Sequence, residues 1–328
     1  MKINVIIPVK NEEHGVQRCI DSFVNNNTLD LHFIVVDDNS EDGTYESTLN
    51  YFKDNNIPGV VLRNNTQNPG AGACRNIGIK HIQNSAKYIM FFDADDTTNK
   101  GSLSKMLSVA EKDKADFVVA KYNYCRSEDV SESKGMLNQD KDKWRWSLGN
   151  ADYVTIRPVD KPYLIECVNY PWNKLYRAAF VKQSKLTFSE TLVNNDIYAH
   201  WHSYANASKV SLVDTKICNH FVIPGNSQIT STFDKTRFSA FTALEELEQM
   251  LRNDEKVYRV YFHLYLKFKL GLFKWIHEQL PVPLRKEFRQ LMKISYQSLS
   301  SSDVLKVSLM MPNVASDAAE FKMGVKSL

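Results

Sequence analysis

The chain has 328 residues, 43% of them hydrophobic and 24% charged, enough apolar material for one large or two smaller cores and unlike a disordered or fibrous polypeptide. A formal net charge of +3 is too small to recommend nucleic acid as a partner, and no stretch nears the roughly 20 apolar residues that span a bilayer. The five cysteines (Cys19, Cys74, Cys125, Cys167 and Cys218) lie far apart without a CxxC pair, so a reducing cytosol is expected rather than a disulfide framework or a zinc site.

The apolar run near the amino terminus is too short for a signal-peptide core and predicts a first strand over 3–7. Further short apolar runs over 31–36, 60–62, 88–92 and 117–120 predict strands, and the stretches 12–25, 44–54, 72–83 and 102–112 between them predict helices. Strands separated by helix-length segments imply an α/β fold, with a Rossmann-like, mainly parallel sheet flanked by helices. Ligands of such sheets bind beyond the carboxyl ends of the strands. Three of those ends are polar: Pro8-Val9-Lys10-Asn11-Glu12, Asp37-Asp38-Asn39-Ser40 and Asp93-Ala94-Asp95-Asp96.

The third cluster brings three carboxylates to one point. Magnesium and manganese prefer such hard oxygen ligands and leave other coordination positions for substrate phosphate, although a solvated aspartate-rich turn has the same composition. Asp37 and Asp38 can accept a nucleobase N–H or a ribose hydroxyl, while Ser40 and Asp42 suit the cap of the helix that follows. The stretch Pro69-Gly70-Ala71-Gly72-Ala73-Cys74-Arg75-Asn76-Ile77-Gly78 lacks the GxGxxG spacing and follows the third strand, which argues against a dinucleotide oxidoreductase. Its small residues either admit a ligand with Arg75 aimed at phosphate or ribose, or simply pack a helix on the sheet.

Residues 127–150 are polar, with Asp140-Lys141-Asp142-Lys143 alternating in sign, and predict a solvated insertion or mobile loop. From Asp234 onward the pattern is helical. A helix over 256–277 would carry Val257, Tyr261, Leu264, Tyr265, Phe268, Leu272, Trp275 and Ile276 on one face and Lys256, Arg259, His263, Lys267 and Lys274 on the other. Such a helix either packs on its own domain or lies on an anionic membrane surface.

Four motifs in order, Ile6-Ile7-Pro8-Val9-Lys10-Asn11-Glu12-Glu13, Val35-Val36-Asp37-Asp38-Asn39-Ser40, Pro69-Gly70-Ala71-Gly72-Ala73-Cys74-Arg75 and Phe92-Asp93-Ala94-Asp95-Asp96, resemble those of family 2 glycosyltransferases with the GT-A fold. The resemblance implies an inverting sugar transfer from a nucleotide diphosphate sugar, usually a UDP-sugar, with Mn2+ or Mg2+ as cofactor. It implies that Pro8, Val9, Asn11, Glu12, Asp37, Asp38, Gly70, Arg75, Asp93 and Ala94 bind the nucleotide sugar, and that Asp95, with Asp93, binds the metal. More weakly, Trp172-Asn173-Lys174-Leu175-Tyr176 is similar to an acceptor-side segment of the family, and Asn195-Asp196 stands where many members have Glu-Asp. Asp196 is then the expected catalytic base, with Asn195 on the acceptor side. The segment after the last core strand, Cys218-Asn219-His220-Phe221 followed by 225–230, makes His220 a third candidate metal ligand.

The implied organisation is a nucleotide-sugar-binding part over 1–125, an acceptor and base part over 126–233, and a carboxy-terminal helical region over 234–328. A saccharide or lipid-linked acceptor is expected, with work in the cytoplasm or at the inner face of the membrane and oligomerisation left open. The other class in view is a noncatalytic nucleotide- or glycan-binding module on the same fold.

Overall fold

The computed structural model describes residues 2–26, 28–223 and 232–325. Four strands, β1 (Ile3–Val9), β2 (Leu31–Asp37), β3 (Gly59–Arg63) and β4 (Tyr88–Phe91), pair in parallel in the order β3-β2-β1-β4. Every residue of β1 and β4 is buried, as expected of largely apolar strands covered on both faces, and β1 includes the buried polar residue Asn4. Helices α1 (Gly15–Asn26), α2 (Thr44–Asp54) and α3 (Ala71–Lys80) make the crossovers. The register sets Val9 opposite Asp37 and Asp37 opposite Arg63, so the loops leaving these strands lie side by side.

Beyond β4 the sheet becomes mixed. It continues through β5 (Thr97–Thr98), α4 (Ser102–Asp113), β6 (Phe117–Cys125), α5 (Asn138–Leu148), β7 (Tyr153–Ile156), β8 (Lys174–Arg177), α6 (Ala178–Ser184), α7 (Asp196–Asn206) and β9 (Val210–Phe221). Strand β8 runs against both of its neighbours, β4 and β6, with Met90 opposite Leu175. Because β8 is antiparallel, the residues preceding it, Trp172 and Asn173, arrive at the carboxyl end of β4. Strand β9 runs parallel to β6 and antiparallel to β5, with Thr97 opposite Asn219, which brings His220 beside Asp96.

One expectation is corrected here, and one choice left open by the sequence is decided. Residues 138–148 form α5, and Asp140, Trp144, Ser147 and Leu148 on it are buried rather than solvated. Asp140 accepts hydrogen bonds from the Tyr122 hydroxyl at 2.8 Å and the Val168 amide at 3.2 Å, which offset part of its desolvation, although burial still raises the carboxyl above its ordinary value. The 256–277 helix is α9 (Glu255–Gln279), and its apolar face is covered by the protein itself: Tyr261, Phe262, Leu264, Tyr265, Phe273 and Ile276 are buried. Trp201 and Phe241 pack on that face. An interfacial anchor needs that face open. Among the described residues no helix is long and apolar enough to cross a membrane.

Helices α8 (Ser239–Asn253), α10 (Val282–Ser295), α11 (Ser301–Ser308) and α12 (Pro312–Met323) complete the carboxy-terminal region around an ionic network. Glu248 on α8 accepts from Lys269 at 3.2 Å, Tyr265 at 2.8 Å, Arg252 at 3.0 Å and Ser298 at 2.8 Å, and Arg252 also reaches Asp303 at 3.1 Å. Glu248, Lys269 and Asp303 are all buried. Removing one member of a buried pair leaves a charge without its partner, so Glu248→Ala should cost roughly 3–5 kcal/mol in urea unfolding. A loss below about 1 kcal/mol would show that the Ser295 carbonyl, 2.7 Å from Lys269 Nζ, satisfies the ammonium alone.

The same network sets an acid limit. Burial works against the Asp303 carboxylate, but hydrogen bonds from Arg252, Tyr258 and the Ser300 amide outweigh it and hold the carboxyl at about 2, below the ordinary 3.8. A depressed folded-state value stabilises above pH 3.8 and is lost as pH falls toward 2. Its share is about 2 kcal/mol, and an Asp303→Asn variant should lack that acid dependence in unfolding scans between those limits.

Candidate active site at the carboxyl ends of the strands

The rim is built by side chains that tie neighbouring loops together. Asn11, with left-handed backbone at φ 52°, accepts the Glu41 amide at 2.9 Å on its side-chain oxygen and donates its own amide to Ser40 Oγ at 2.9 Å. The Glu12 amide reaches Thr44 Oγ1 at 2.9 Å. Pro8 and Val9 are buried beneath this loop pair. Asp37, also buried, accepts the Ser40 amide at 3.2 Å. Asp38 accepts from Asn64 Nδ2 at 2.7 Å and from the Gly70 amide at 2.8 Å, with Lys10 Nζ 3.8 Å away. Asn64 was not singled out from the sequence, although it directly follows the third strand and so stands at a rim position like the others.

The glycines of the 69–78 segment serve packing. A Cβ on Gly72 would lie 2.1 Å from the Ser189 carbonyl and 2.9 Å from Asn195 Cβ, and one on Gly78 would lie 2.4 Å from Ile6 Cγ2. Gly70, at φ 111°, occupies backbone space that L side chains rarely adopt. Gly72→Ala must therefore push the 189–195 segment, and the start of α7 with it, off α3. The expected outcome is a protein that folds with a lower melting temperature and loses at least tenfold in transfer; unchanged turnover would show that the segment tolerates the shift.

Asp93, Asp95 and Asp96 converge after β4, with one ligand atom from each within 4.8 Å of the others. Ala94, between them, is buried. Burial first, then the carboxylates of Asp96 and Asp93, push Asp95 up to about 8. Asp96 is fully buried and accepts from His220 Nδ1 at 2.8 Å and the Phe221 amide at 2.9 Å. Burial disfavours the His220 imidazolium, but Asp96, Asp95 and Asp93 together outweigh it and push the ring up to about 9. A crowd of like charges offering only oxygen donors is the environment that a hard divalent cation relieves, so Asp93 and Asp95 fit Mn2+ or Mg2+. His220, with Nδ1 engaged by Asp96, has only Nε2 left to offer an ion. Segment 225–230 lies outside the described residues. Arg18, another residue without a sequence signal, donates to the Asp95 carbonyl at 2.8 Å.

Arg75 joins two parts of the rim. Its guanidinium is buried over the Phe188 ring and donates to Asp93 Oδ1 at 2.6 Å and Asn195 Oδ1 at 2.7 Å. Asn195 directly precedes Asp196, the first residue of α7, and Asn194 before it takes left-handed backbone at φ 61° to turn the chain into the helix. Burial raises the Asp196 carboxyl above its usual range, against the pull of Arg75 and Lys174. A raised carboxyl is the stronger base near neutral pH.

The remaining predicted residues lie beneath the rim. Trp172 is fully buried, stacked on Tyr170 at 4.6 Å between ring centroids and 5.0 Å from the His220 ring. Asn173 is buried, and the buried Lys174 ammonium is held by the Tyr170 carbonyl and by Asn173 Oδ1 at 2.9 Å. Burial pushes Lys174 down to about 8. Tyr170, only partly buried, packs its ring on Trp172 and His220, and no sequence signal marked it.

Residues 4–183 match the family model described as Glycosyl transferase family 2. The chain belongs to glycosyl transferase family 2. Among curated relatives, it is 28% identical over 215 residues to a poly(ribitol-phosphate) beta-glucosyltransferase of Bacillus spizizenii, covering 65% of this chain and 31% of that protein. It is 24% identical over 263 residues to glycosyltransferase GlyA of Streptococcus pneumoniae, covering 77% and 35%. The chain thus spans about a third of the length of these two relatives. A crystal structure of S. aureus TarS 1-349 in complex with UDP-GlcNAc superposes with a TM-score of 0.74 at 17% identity, covering 98% of this chain and 88% of that one. At that identity the likeness shows the fold alone, and that fold is the GT-A arrangement expected of family 2.

Proposed function

We propose that the protein is an inverting, metal-dependent glycosyltransferase that moves a sugar from a nucleotide diphosphate sugar to a glycan or lipid-linked acceptor in the synthesis of a surface polysaccharide. The observation that carries this is the bridge through Arg75, whose guanidinium joins the Asp93 carboxylate of the acidic cluster to the side chain of Asn195, the residue directly before Asp196. Relatives named for transfer to poly(ribitol-phosphate), and TarS in complex with UDP-GlcNAc, support a UDP-sugar donor and a cell-surface polymer.

In this mechanism the loops holding Pro8, Val9, Asn11, Glu12, Asp37, Asp38 and Gly70 form the nucleoside cradle, ordered by the inter-loop hydrogen bonds. A divalent cation held by Asp93 and Asp95 would supply the positive charge that offsets the diphosphate leaving group. Asp196 takes the proton of the acceptor hydroxyl as that oxygen attacks the anomeric carbon from the face opposite the leaving group, which inverts the centre. Arg75 keeps Asp93 and the turn before Asp196 at a fixed separation, and Lys174 beneath the rim favours the ionised form of the base.

A thermal-shift panel of nucleotide sugars with manganese tests the donor. A ligand that binds only the folded state stabilises it by about 2.7 kcal/mol at one hundred times its dissociation constant, so a UDP-sugar should raise the melting temperature by several degrees. No shift with any nucleotide sugar would defeat the transferase assignment.

A further inference from the structure

An open groove of about 710 Å³ lies beside the loop that leads into Asp196, walled by α3, residues 187–190, α7 and α8. Its polar lining includes Asn76, Glu190, Tyr198, Glu246 and Gln249. The wall is firm: Asn76 Nδ2 donates to the Phe188 carbonyl at 2.9 Å, and the Phe188 amide donates back to Asn76 Oδ1 at 2.8 Å. Glu190 accepts from Asn68 Nδ2 at 2.6 Å and Asn76 Nδ2 at 3.2 Å. Glu246 accepts from Ser189 Oγ. The Ser189 amide donates to the Asn195 carbonyl at 3.1 Å, closing 189–195 into a loop that begins at the groove wall and ends just before Asp196.

The chemistry of this lining is selective. Carboxylates and side-chain amides offer paired acceptors and donors at the spacing hydroxyl groups use, and tyrosine adds an aromatic edge. Among the described residues no lysine or arginine lines the groove, so a phosphate-rich chain would meet two carboxylates and no compensating cation there. The volume is that of a site for a small ligand or a few sugar units.

We infer that this groove binds an uncharged, hydroxyl-rich glycan chain and holds the part of the acceptor already made while its end reaches Asp196. The role as an acceptor track rests on the transferase assignment; the binding of neutral glycan does not. The inference also separates this chain from relatives named for poly(ribitol-phosphate), whose acceptor is a polyanion.

Titration calorimetry on the full chain decides it, with maltohexaose, cellohexaose and chitohexaose as neutral probes and a ribitol phosphate hexamer as the anionic one. At least one neutral hexamer should bind, and Gln249→Trp, at an exposed position where the indole fills the groove, should weaken it at least tenfold with the melting temperature unchanged. Glu246→Gln should weaken it less. Binding by none of the neutral hexamers, binding indifferent to Gln249→Trp, or ribitol phosphate binding abolished by Gln249→Trp would each overturn the inference. UDP-sugar binding, measured on the same samples, keeps the two ideas apart. Hexamer binding without any nucleotide-sugar binding removes the transferase and leaves the groove standing; donor binding with no hexamer binding does the reverse.

Discussion

Asp196→Asn is expected to keep donor affinity and lose transfer by about 10²- to 10⁴-fold, the usual cost of removing a general base. Asparagine has nearly the same shape, so the first turn of α7 and the Arg75–Asn195 hydrogen bond should survive, and only the proton acceptor disappears. The measurement is single-turnover transfer beside UDP-sugar calorimetry. A fall in kcat with an unchanged donor Kd supports the assignment, because an interaction made only in the transition state affects kcat alone. Near-wild-type turnover would transfer the role to another carboxylate of the rim, and absent turnover in the unmodified protein would favour a noncatalytic binding module.

The second large effect is expected at Asp95. Asp95→Ala should abolish manganese-dependent binding of UDP while leaving the melting temperature equal or higher, since the wild-type group is a half-buried carboxyl crowded by Asp96 and Asp93. Removing one member of a like-charge cluster relieves repulsion, in contrast to removing one member of an ion pair. Calorimetry with and without manganese reads it. UDP affinity that responds to manganese equally in wild type and variant would remove the metal from Asp95.

The central sheet was legible because strands covered on both faces are nearly continuous apolar runs, as β4 is and as β1 is apart from Asn4. The strand-end rule then pointed to Asp37, Asp38 and Asp93 to Asp96 without any knowledge of tertiary contacts. What stayed hidden depended on antiparallel insertions and on burial of single charges. Nothing in the alternating run Asp140-Lys141-Asp142-Lys143 marks its first member as the one that meets Tyr122 and Val168 in the interior. Lys269 is concealed in the same way within a helix whose other lysines and Arg259 are exposed, because its partner Glu248 lies on a different helix. The small residues of 69–78 suggested either ligand approach or helix packing, and at Gly72 and Gly78 the close neighbours are Ser189 and Ile6.

All five cysteines are buried thiols, and all lie at or before Cys218, so the helices from Ser239 onward carry none. A thiol reagent can react only when the protein opens, and only the thiolate reacts, so labelling at mildly alkaline pH becomes a clock for opening of the sheet. Mass spectrometry of partly labelled protein would then show whether breaking the Glu248 network melts the carboxy-terminal helices by themselves or takes the whole molecule with them. The chain carries its own reporter for whether its two halves unfold as one cooperative unit.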